Sequence, residues 1–274
     1  MPKVLIVTRT KNRTCFIPRA VGSILSQIYS DWHHVIVNDG GNACELEQAI
    51  SPFRSLYKDR LTIINNVTSM GMETASNIGI NSSDSKYIAI HDDDDSWENY
   101  FLLEMVNALE FNNVDGVVCH VSQCFEQITE GEIKILSKRY YNPDLVSCNQ
   151  RKLKYKNQFM PISFVFSREA YLAIEGFDEN FLVCGDWDFH YRFIKQYRIK
   201  VISKRLANYH IRSGDVSDPS SAAVNSVHKK ELHARYRQEF FIKHGIDERS
   251  LLRDRLYEVI IQRTIRIIMR LVHK

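Results

Sequence analysis

Lys86-Tyr87-Ile88-Ala89-Ile90-His91-Asp92-Asp93-Asp94-Asp95-Ser96-Trp97 decides the reading of this chain. A strand-like apolar run, Tyr87 to Ile90, delivers four consecutive aspartates to its carboxyl end. A packed core cannot hold four bare carboxylates. They repel, and some take up protons unless a cation shares them. The run therefore points to a divalent metal site, and oxygen-only donors favour a hard ion, Mg²⁺ or Mn²⁺, over zinc. The structural alternative is a solvated acidic turn or a helix N-cap. Helix-like sequence follows from Trp97 to Phe111, acids suit a helix start, and Asp95 or Ser96 is then the cap. Capping needs one acid rather than four, so the metal reading is preferred for the run as a whole.

Working outward, the preceding sequence alternates strands and helices. Val4 to Thr8, His34 to Asn38 and Leu61 to Asn65 read as strands. Pro18 to Gln27, Leu46 to Tyr57 (broken by Pro52) and Met72 to Asn81 carry helical patterns. With the strand at Tyr87 to Ile90, this β-α-β-α-β-α-β order implies a parallel sheet with right-handed crossovers. Ligands collect at the carboxyl ends of such strands. There the chain places Thr8-Arg9-Thr10, Asp39, Asn65-Asn66 and Asp92 to Asp95.

The second half is less regular. Val117 to Phe125, a segment near Ile133, Phe164 to Phe166 and Lys200 to Ile202 read as strands. Arg168 to Ile174 and Trp187 to Gln196 read as helices, while 142–156 has no assignable pattern. The turn-rich 213–221 segment marks a boundary. Beyond it the chain is helical in pattern, and Arg263, Arg266, Arg270 and His273 share one face opposite Ile261, Ile265, Ile268 and Val272. Two readings of that helix stand open: packing on the main domain or a second copy as a homodimer contact, or peripheral contact with an anionic membrane.

At 274 residues, 44% hydrophobic and 25% charged, the chain can bury a real core. A net charge of +3 gives no electrostatic case for nucleic acid. No apolar run approaches the length of a membrane span and the first residues lack a signal-peptide pattern, so a cytoplasmic protein is expected, with the inner membrane face as a further location. The six cysteines lack Cys-x-x-Cys spacing and read as reduced thiols.

These segments resemble the family 2 glycosyltransferases, inverting enzymes of the GT-A fold, over roughly Val4 to Asp215. Val4 to Arg13 is similar to the family's opening strand, which usually ends Pro-Thr-Tyr-Asn-Arg. Ala20 to Tyr29 matches its first helix, and Val35-Ile36-Val37-Asn38-Asp39-Gly40-Gly41 resembles Val-Val-Asp-Asp-Gly-Ser. Gly71 through Ala75-Ser76-Asn77-Ile78-Gly79 resembles Gly-x-x-x-Ala-Arg-Asn-x-Gly. Asp92 to Asp95 resembles the Asp-x-Asp motif. Gly176-Phe177-Asp178-Glu179 and Gly185-Asp186-Trp187-Asp188-Phe189 resemble the later acceptor-site block. There are departures too: His91 stands where a Leu is common, Ser76 replaces the usual Arg, and Gly185 stands where a Glu often precedes the catalytic Asp, though a Gly-Asp-Trp version also belongs to the family's pattern.

The resemblance implies an α/β GT-A (nucleotide-diphospho-sugar transferase) fold, a mostly parallel central sheet flanked by helices. Residues 1–215 form the glycosyltransferase domain and 216–274 a C-terminal helical extension. It implies an inverting, metal-dependent transfer of a sugar from a UDP-, TDP- or GDP-linked donor to a hydroxyl of a glycan or lipid-linked acceptor, in surface polysaccharide biosynthesis. By the same resemblance, Asp39 would accept a hydrogen bond from the nucleobase, with Thr8, Arg9 and Thr10 lining its pocket, and Asn66, Asn77, Asp92 and Asp93 would also face the donor. Asp94 would bind Mn²⁺ or Mg²⁺ directly, Asp92 would serve the ribose or the metal through water, and His210 would complete the metal site. Arg9 or Arg212 would neutralise phosphate. Asp186 would be the general base; its structural alternative is an N-cap for the helix at Trp187. Trp187 and Asp188 would meet the acceptor. Two other readings are carried: a sugar nucleotidyltransferase, which expects a glycine-rich loop that Thr8 to Arg13 lacks, and a non-catalytic nucleotide-sugar binder.

Overall fold

The computed structural model describes residues 1–129, 132–212, 230–247, 249–254, 256 and 260. The order of elements is β1 (Val4–Thr10), α1 (Ile17–Leu25), β2 (Trp32–Asp39), α2 (Ala43–Ile50), α3 (Arg54–Tyr57), β3 (Leu61–Asn66), α4 (Met72–Asn81), β4 (Tyr87–Ile90) and β5 (Ser96–Trp97). Then follow α5 (Phe101–Asn112), β6 (Gly116–Thr129), β7 (Glu132–Tyr141), α6 (Gln150–Leu153), β8 (Phe164–Ser167), α7 (Arg168–Ala173), α8 (Gly185–Gln196), β9 (Ile199–Arg212) and α9 (Lys230–Lys243).

One sheet runs β3-β2-β1-β4-β8-β6-β9-β5, with β7 paired to β6. The first four strands are parallel, with Val7 level with Val35 and Ile90. β8 is antiparallel to β4 and β6, and β9 runs parallel to β6. β1 is buried on both faces because its apolar residues divide between two cores. Val4 and Ile6 pack with residues of α1 and α5, while Leu5 and Val7 pack with residues of α4, α7 and α8. That is why it reads as a continuous rather than an alternating apolar run. The carboxyl ends of β1, β2 and β4 consequently meet at one edge of the molecule, followed by Arg9–Arg13, Asp39 and Asp92–Asp95.

Three expectations change here. The helix expected from Trp97 to Phe111 forms but starts later: Ser96 and Trp97 form β5, antiparallel to β9, and α5 begins at Phe101 behind an N-cap at Tyr100. Neither Asp95 nor Ser96 is a cap. The buried Trp97 anchors this detour, stacking on Phe101 at 4.1 Å and donating its indole N–H to the Ile162 carbonyl at 2.7 Å. β6 and β9 are each 14 residues long, far beyond the short apolar cores that mark them in sequence. The unassigned 142–156 stretch holds the single-turn α6, capped by Asn149, whose side chain accepts from the Arg151 amide at 2.8 Å.

α9 packs against the main sheet domain. Trp187 of α8 stacks on Phe240 at 4.6 Å, within a third apolar cluster that includes Leu153, Phe181, Tyr191 and Tyr236. No helix among the described residues is long and apolar enough to cross a membrane. The basic face expected at Arg263, Arg266, Arg270 and His273 lies outside the described residues.

Candidate active site

The acidic strand end is a tight turn, closed by the Asp95 amide donating to the Asp92 carbonyl at 3.2 Å. Arginines from three elements and a loop converge on it. Arg9 of β1 pairs with Asp92, and Arg13 from the β1–α1 loop pairs with Asp93 and, at 3.2 Å, with Asp94. Arg212, at the end of β9, is ion-paired to Asp94 at 2.5 Å. Arg19 of α1 donates to the Asp94 carbonyl and pairs with Glu126 of β6 at 2.8 Å. Glu126 also accepts from Arg212 at 3.3 Å and from His210 Nδ1 at 2.9 Å. Four guanidinium groups thus face four carboxylates, and arginine supplies much of the charge sharing that the sequence assigned to a metal.

The carboxylates differ in state. Burial would raise Asp94, but Arg13 and Arg212 hold it below the usual carboxylate range. Burial drives Asp93 up, against the pull of Arg13. Asp95 is raised well above its ordinary value by burial and by its neighbours Asp94 and Asp92; its Oδ1 accepts from the His210 amide at 2.9 Å, and its Oδ2 is buried without a partner. Asp92 is the most exposed of the four, with 24% of its side chain open.

A second centre lies on α8. That helix begins at Gly185 with Cys184 as its N-cap, so Asp186 sits in the first turn and is not the cap. Its Oδ2 accepts from Asn157 Nδ2 at 2.7 Å, and the Asn157 amide oxygen meets His190 Nδ1 at 3.0 Å. Burial lowers His190 to about 3, so it is a neutral imidazole at pH 7. Burial raises Asp186, with Asp92 adding to the rise and Arg9 opposing it. The two acidic centres therefore act on one another. Among the described residues no ion pair engages Asp186.

Several residues expected at the site do other work. Thr8 points to the opposite face of β1, where its hydroxyl meets buried His34 at 2.8 Å, because successive strand residues alternate faces. Asp39 is spent on its own loop: Oδ1 accepts from Asn66 Nδ2 and the Met70 amide, Oδ2 from the Ser69 hydroxyl and the Gly71 amide, at 2.8–3.0 Å. A carboxylate has about four acceptor sites, so little is left for a nucleobase. Burial alone would raise Asp39, yet these bonds hold it low. Asn66 is thereby a partner of Asp39. Asn77 is likewise filled, bonding Phe177 N and O, Tyr171 and Glu179, and it ties α4 to the turn before α8. Thr10 is buried at the end of β1 beside the acidic turn.

The acceptor expectations are corrected. Trp187 is 6% exposed, donates its indole N–H to the Leu153 carbonyl and covers Phe240, so its faces are taken by the core. Asp188 is fully buried and bound by Arg192 at 2.7 Å and by Lys243 and His244 at 2.8 Å, which clamps α9 to α8. His210, expected to complete the metal site, lies beside the acidic turn, where its backbone N–H donates to Asp95 Oδ1. Both ring nitrogens are engaged, Nδ1 with Glu126 and Nε2 with Ser96 Oγ at 3.0 Å.

Among the described residues no group of three or more His, Cys, Asp or Glu side chains is arranged to hold a metal ion. Mg²⁺ and Mn²⁺ at phosphate-transfer sites take only one or two carboxylates from the protein and the rest from phosphate oxygens and water. Asp92 and Asp94 fit that smaller demand in donor chemistry. Glu73, Glu126, Asn157 and Arg19 escaped the sequence reading. Glu126 had a usable signal, an acid closing the strand-like run from Val117. Asn157 lay in polar sequence with no pattern.

An α/β sheet of this order, with one acidic turn after β4 and a second acidic centre at the start of α8, is the arrangement of the GT-A fold. The sequence pattern of Glycosyl transferase family 2 matches residues 5–174, and the chain belongs to that family. It is 24% identical over 247 residues to the uncharacterized glycosyltransferase YwdF of Bacillus subtilis (strain 168), covering 90% of this chain and 85% of that one. In fold it is similar to the mannosyltransferase PcManGT of Pyrobaculum calidifontis, solved with GDP-Man and Mn²⁺ (TM-score 0.66, 17% identity, 93% of this chain and 69% of that one). It is also similar to S. aureus TarS 1–349 in complex with UDP-GlcNAc (TM-score 0.62, 14% identity, 87% and 72%).

Proposed function

We propose that this glycosyltransferase inverts configuration at the sugar it moves, taking it from a nucleoside-diphosphate donor to a hydroxyl of a glycan or lipid-linked acceptor. The observation that carries the reading is Asp186: a partly exposed carboxylate with no ion pair among the described residues, under the electrostatic influence of Asp92 on the opposing acidic turn and of Arg9 on β1. Inversion needs a base on the face of the sugar away from the leaving diphosphate. Asn157, braced by neutral His190, would orient Asp186, whose raised affinity for a proton suits it to take one from the acceptor hydroxyl.

On the donor side, Asp92 and Asp94 would hold a divalent ion, Mn²⁺ or Mg²⁺, beside the diphosphate. Bound there, the ion supplies Lewis-acid stabilisation of the leaving group's charge. Arg9, Arg13 and Arg212 keep the acidic turn ordered, and their positive charge lowers the cost of bringing a diphosphate next to it. Asp39 would shape the nucleotide pocket by fixing the 66–71 loop. The setting we propose is cytoplasmic assembly of a surface polysaccharide, a reading that rests on the family resemblance alone.

The test is nucleotide release from a panel of UDP-, dTDP- and GDP-sugars, with and without Mn²⁺, for the natural chain and Asp186→Asn. Release from one donor class that collapses in the variant is the expected result. Unchanged release in the variant removes Asp186 as the base, and no release from any donor favours a nucleotide-sugar binder.

A further inference from the structure

The outer half of β6 lies between β7 and β9, and its register sets which side chains share a face. Val121 is level with Tyr141 of β7 and Ala207 of β9, and Gln123 is level with Arg139 and Tyr209. Directly paired residues project to one face of a sheet, and so do residues two apart on a strand. Tyr141 and Tyr209 therefore stand on the same face, across β6 from one another. Both are partly buried, and both pack at the border of the core that holds Trp97, Val121 and Ala207.

Each tyrosine is tied through its chain neighbour to one of the two acidic centres. The amide of His210, next to Tyr209, donates to Asp95 Oδ1 at 2.9 Å. The side chain of Asn142, next to Tyr141, donates to the Gln158 carbonyl at 2.8 Å, and Asn157, next to Gln158, holds Asp186 at 2.7 Å. The pair thus spans the distance from the acidic turn to the carboxylate on α8. Among the described residues no hydrogen bond engages either phenol, and neither oxygen is sealed from solvent. Tyr57 and Tyr171, packed in the core, spend theirs on His34 and Asn77 at 2.8 Å. Burial, then Asp95, Asp94, Asp92 and Asp186, keep the Tyr209 proton on its oxygen, and burial and Asp186 act the same way on Tyr141. Two such phenols offer ring faces to apolar C–H groups and hydroxyls to polar oxygens, and a sugar ring presents both.

The geometry points to Tyr209 and Tyr141 as the platform that grips the sugar being transferred. Tyr209 meets it at the end toward the diphosphate, and Tyr141 at the end toward Asp186. This assignment rests on the glycosyltransferase reading above, which puts the leaving group beside Asp92 and Asp94 and the base at Asp186. A sugar that undergoes inversion must lie between the two. Neither tyrosine moves a proton; the pair selects and orients the ring.

Titration calorimetry in the presence of Mn²⁺ separates such a platform from core packing. UDP, dTDP and GDP are each compared with a panel of their sugar conjugates, first on the natural chain. For the class that binds, Tyr209→Phe and Tyr141→Phe are each expected to raise the Kd of the nucleotide sugar by about 2- to 10-fold, the loss of one hydrogen bond. Tyr209→Ala and Tyr141→Ala raise it by about 10- to 100-fold, because the ring contact goes as well. The Kd of the bare nucleoside diphosphate stays within about 2-fold of the natural value in all four. The Phe variants lose one oxygen and no packing, so they decide the matter even if an Ala variant fails to fold. A packing role moves both ligands together or neither. Equal weakening of the nucleoside diphosphate and its sugar conjugate, or no change in either, overturns the platform and leaves the glycosyltransferase reading standing. If the natural chain binds no nucleoside diphosphate and no nucleotide sugar, that reading fails and the platform fails with it.

Discussion

Asp186 and Asp188 stand two residues apart on the same turn of α8, and they are treated in opposite ways. Asp188 is fully buried and bound by Arg192, Lys243 and His244, so its charge is committed to holding α9 against α8. Asp186 turns the other way, meets a neutral amide and faces the acidic turn after β4. The contrast recurs between the two acidic centres. Glu126 is locked into Arg19, Arg212 and His210, whereas Asp186 and Glu73 have no cation within ion-pair distance among the described residues. A carboxylate paired to a guanidinium is a weak base and a good strut; one left without a cation keeps its affinity for a proton.

The sharpest way to break that contrast is Asp186→Asn. Removing a positioned general base is expected to reduce kcat by about 10²- to 10⁴-fold. The melting temperature should stay close to that of the natural chain, since no ion pair is lost. The acid limb of the natural chain's pH–rate profile should fall above the ordinary aspartate range, because burial raises Asp186 and the base must be deprotonated. A limb at or below that range, or an Asn variant that turns over normally, would place Asp186 with the struts.

The opposite result is expected of Glu126→Ala. Glu126 is fully buried beneath Arg19, Arg212 and His210, and the substitution leaves three donors, two of them buried, facing each other. Breaking a buried pair by deleting one partner destabilises by about 3–5 kcal/mol. Urea denaturation would read it as a lower midpoint at an unchanged slope. A loss well below that range would mean the network is as interchangeable as a surface pair.

Acidity separates the two classes further. Asp188 is held below its usual value: burial would raise it, and His244, Arg192 and Lys243 more than reverse that. A depressed acid contributes stability above its unfolded pKa, roughly 4, and loses it as pH falls through the folded value. Asp188→Asn should therefore destabilise at pH 7 by ~2–3 kcal/mol, with the difference shrinking below about pH 4. Burial raises Glu73 to about 8. A raised acid behaves the other way, so its contribution is present below roughly 4.3 and lost as pH rises through the folded value. Glu73→Gln should match the natural chain near pH 4 and exceed it at pH 8 by on the order of 1–3 kcal/mol. Denaturation midpoints across pH would show the two curves diverging in opposite senses.

The sequence made the left half of the sheet legible, because β1, β2 and β4 are short apolar runs whose period and punctuation leave little choice. It also located the acidic turn and Asp186. It could not show how charge at that turn is neutralised. Arg13, Arg19, Glu126 and Arg212 come from a loop, a helix and two strand ends, and only the crossing of β6, β9 and α1 brings them to Asp94. The exact partners of Asp39 and Asn77 were hidden for the same reason. A polar side chain aimed at a ligand and one that saturates a loop look identical in sequence, and hydrogen-bond geometry alone separates them. Trp187 was misread because an exposed-looking amphipathic turn is covered by α9, a contact across more than fifty residues.

The smallest expected effect calibrates the rest. Arg54 of α3 makes a two-pronged pair with Glu47 of α2 at 2.5 Å, but both side chains are about half exposed. Water screens such a pair and its side chains lose freedom in forming it, so Arg54→Ala should change stability by less than about 1 kcal/mol, with any effect vanishing in high salt. Glu126→Ala should be far less sensitive to salt, because Glu126 itself and its partners Arg212 and His210 are shielded from ions as well as from water. If the two variants respond alike to salt, burial is not what divides strut from base here. The contrast between Asp188 and Asp186 would then have to rest on partner identity alone.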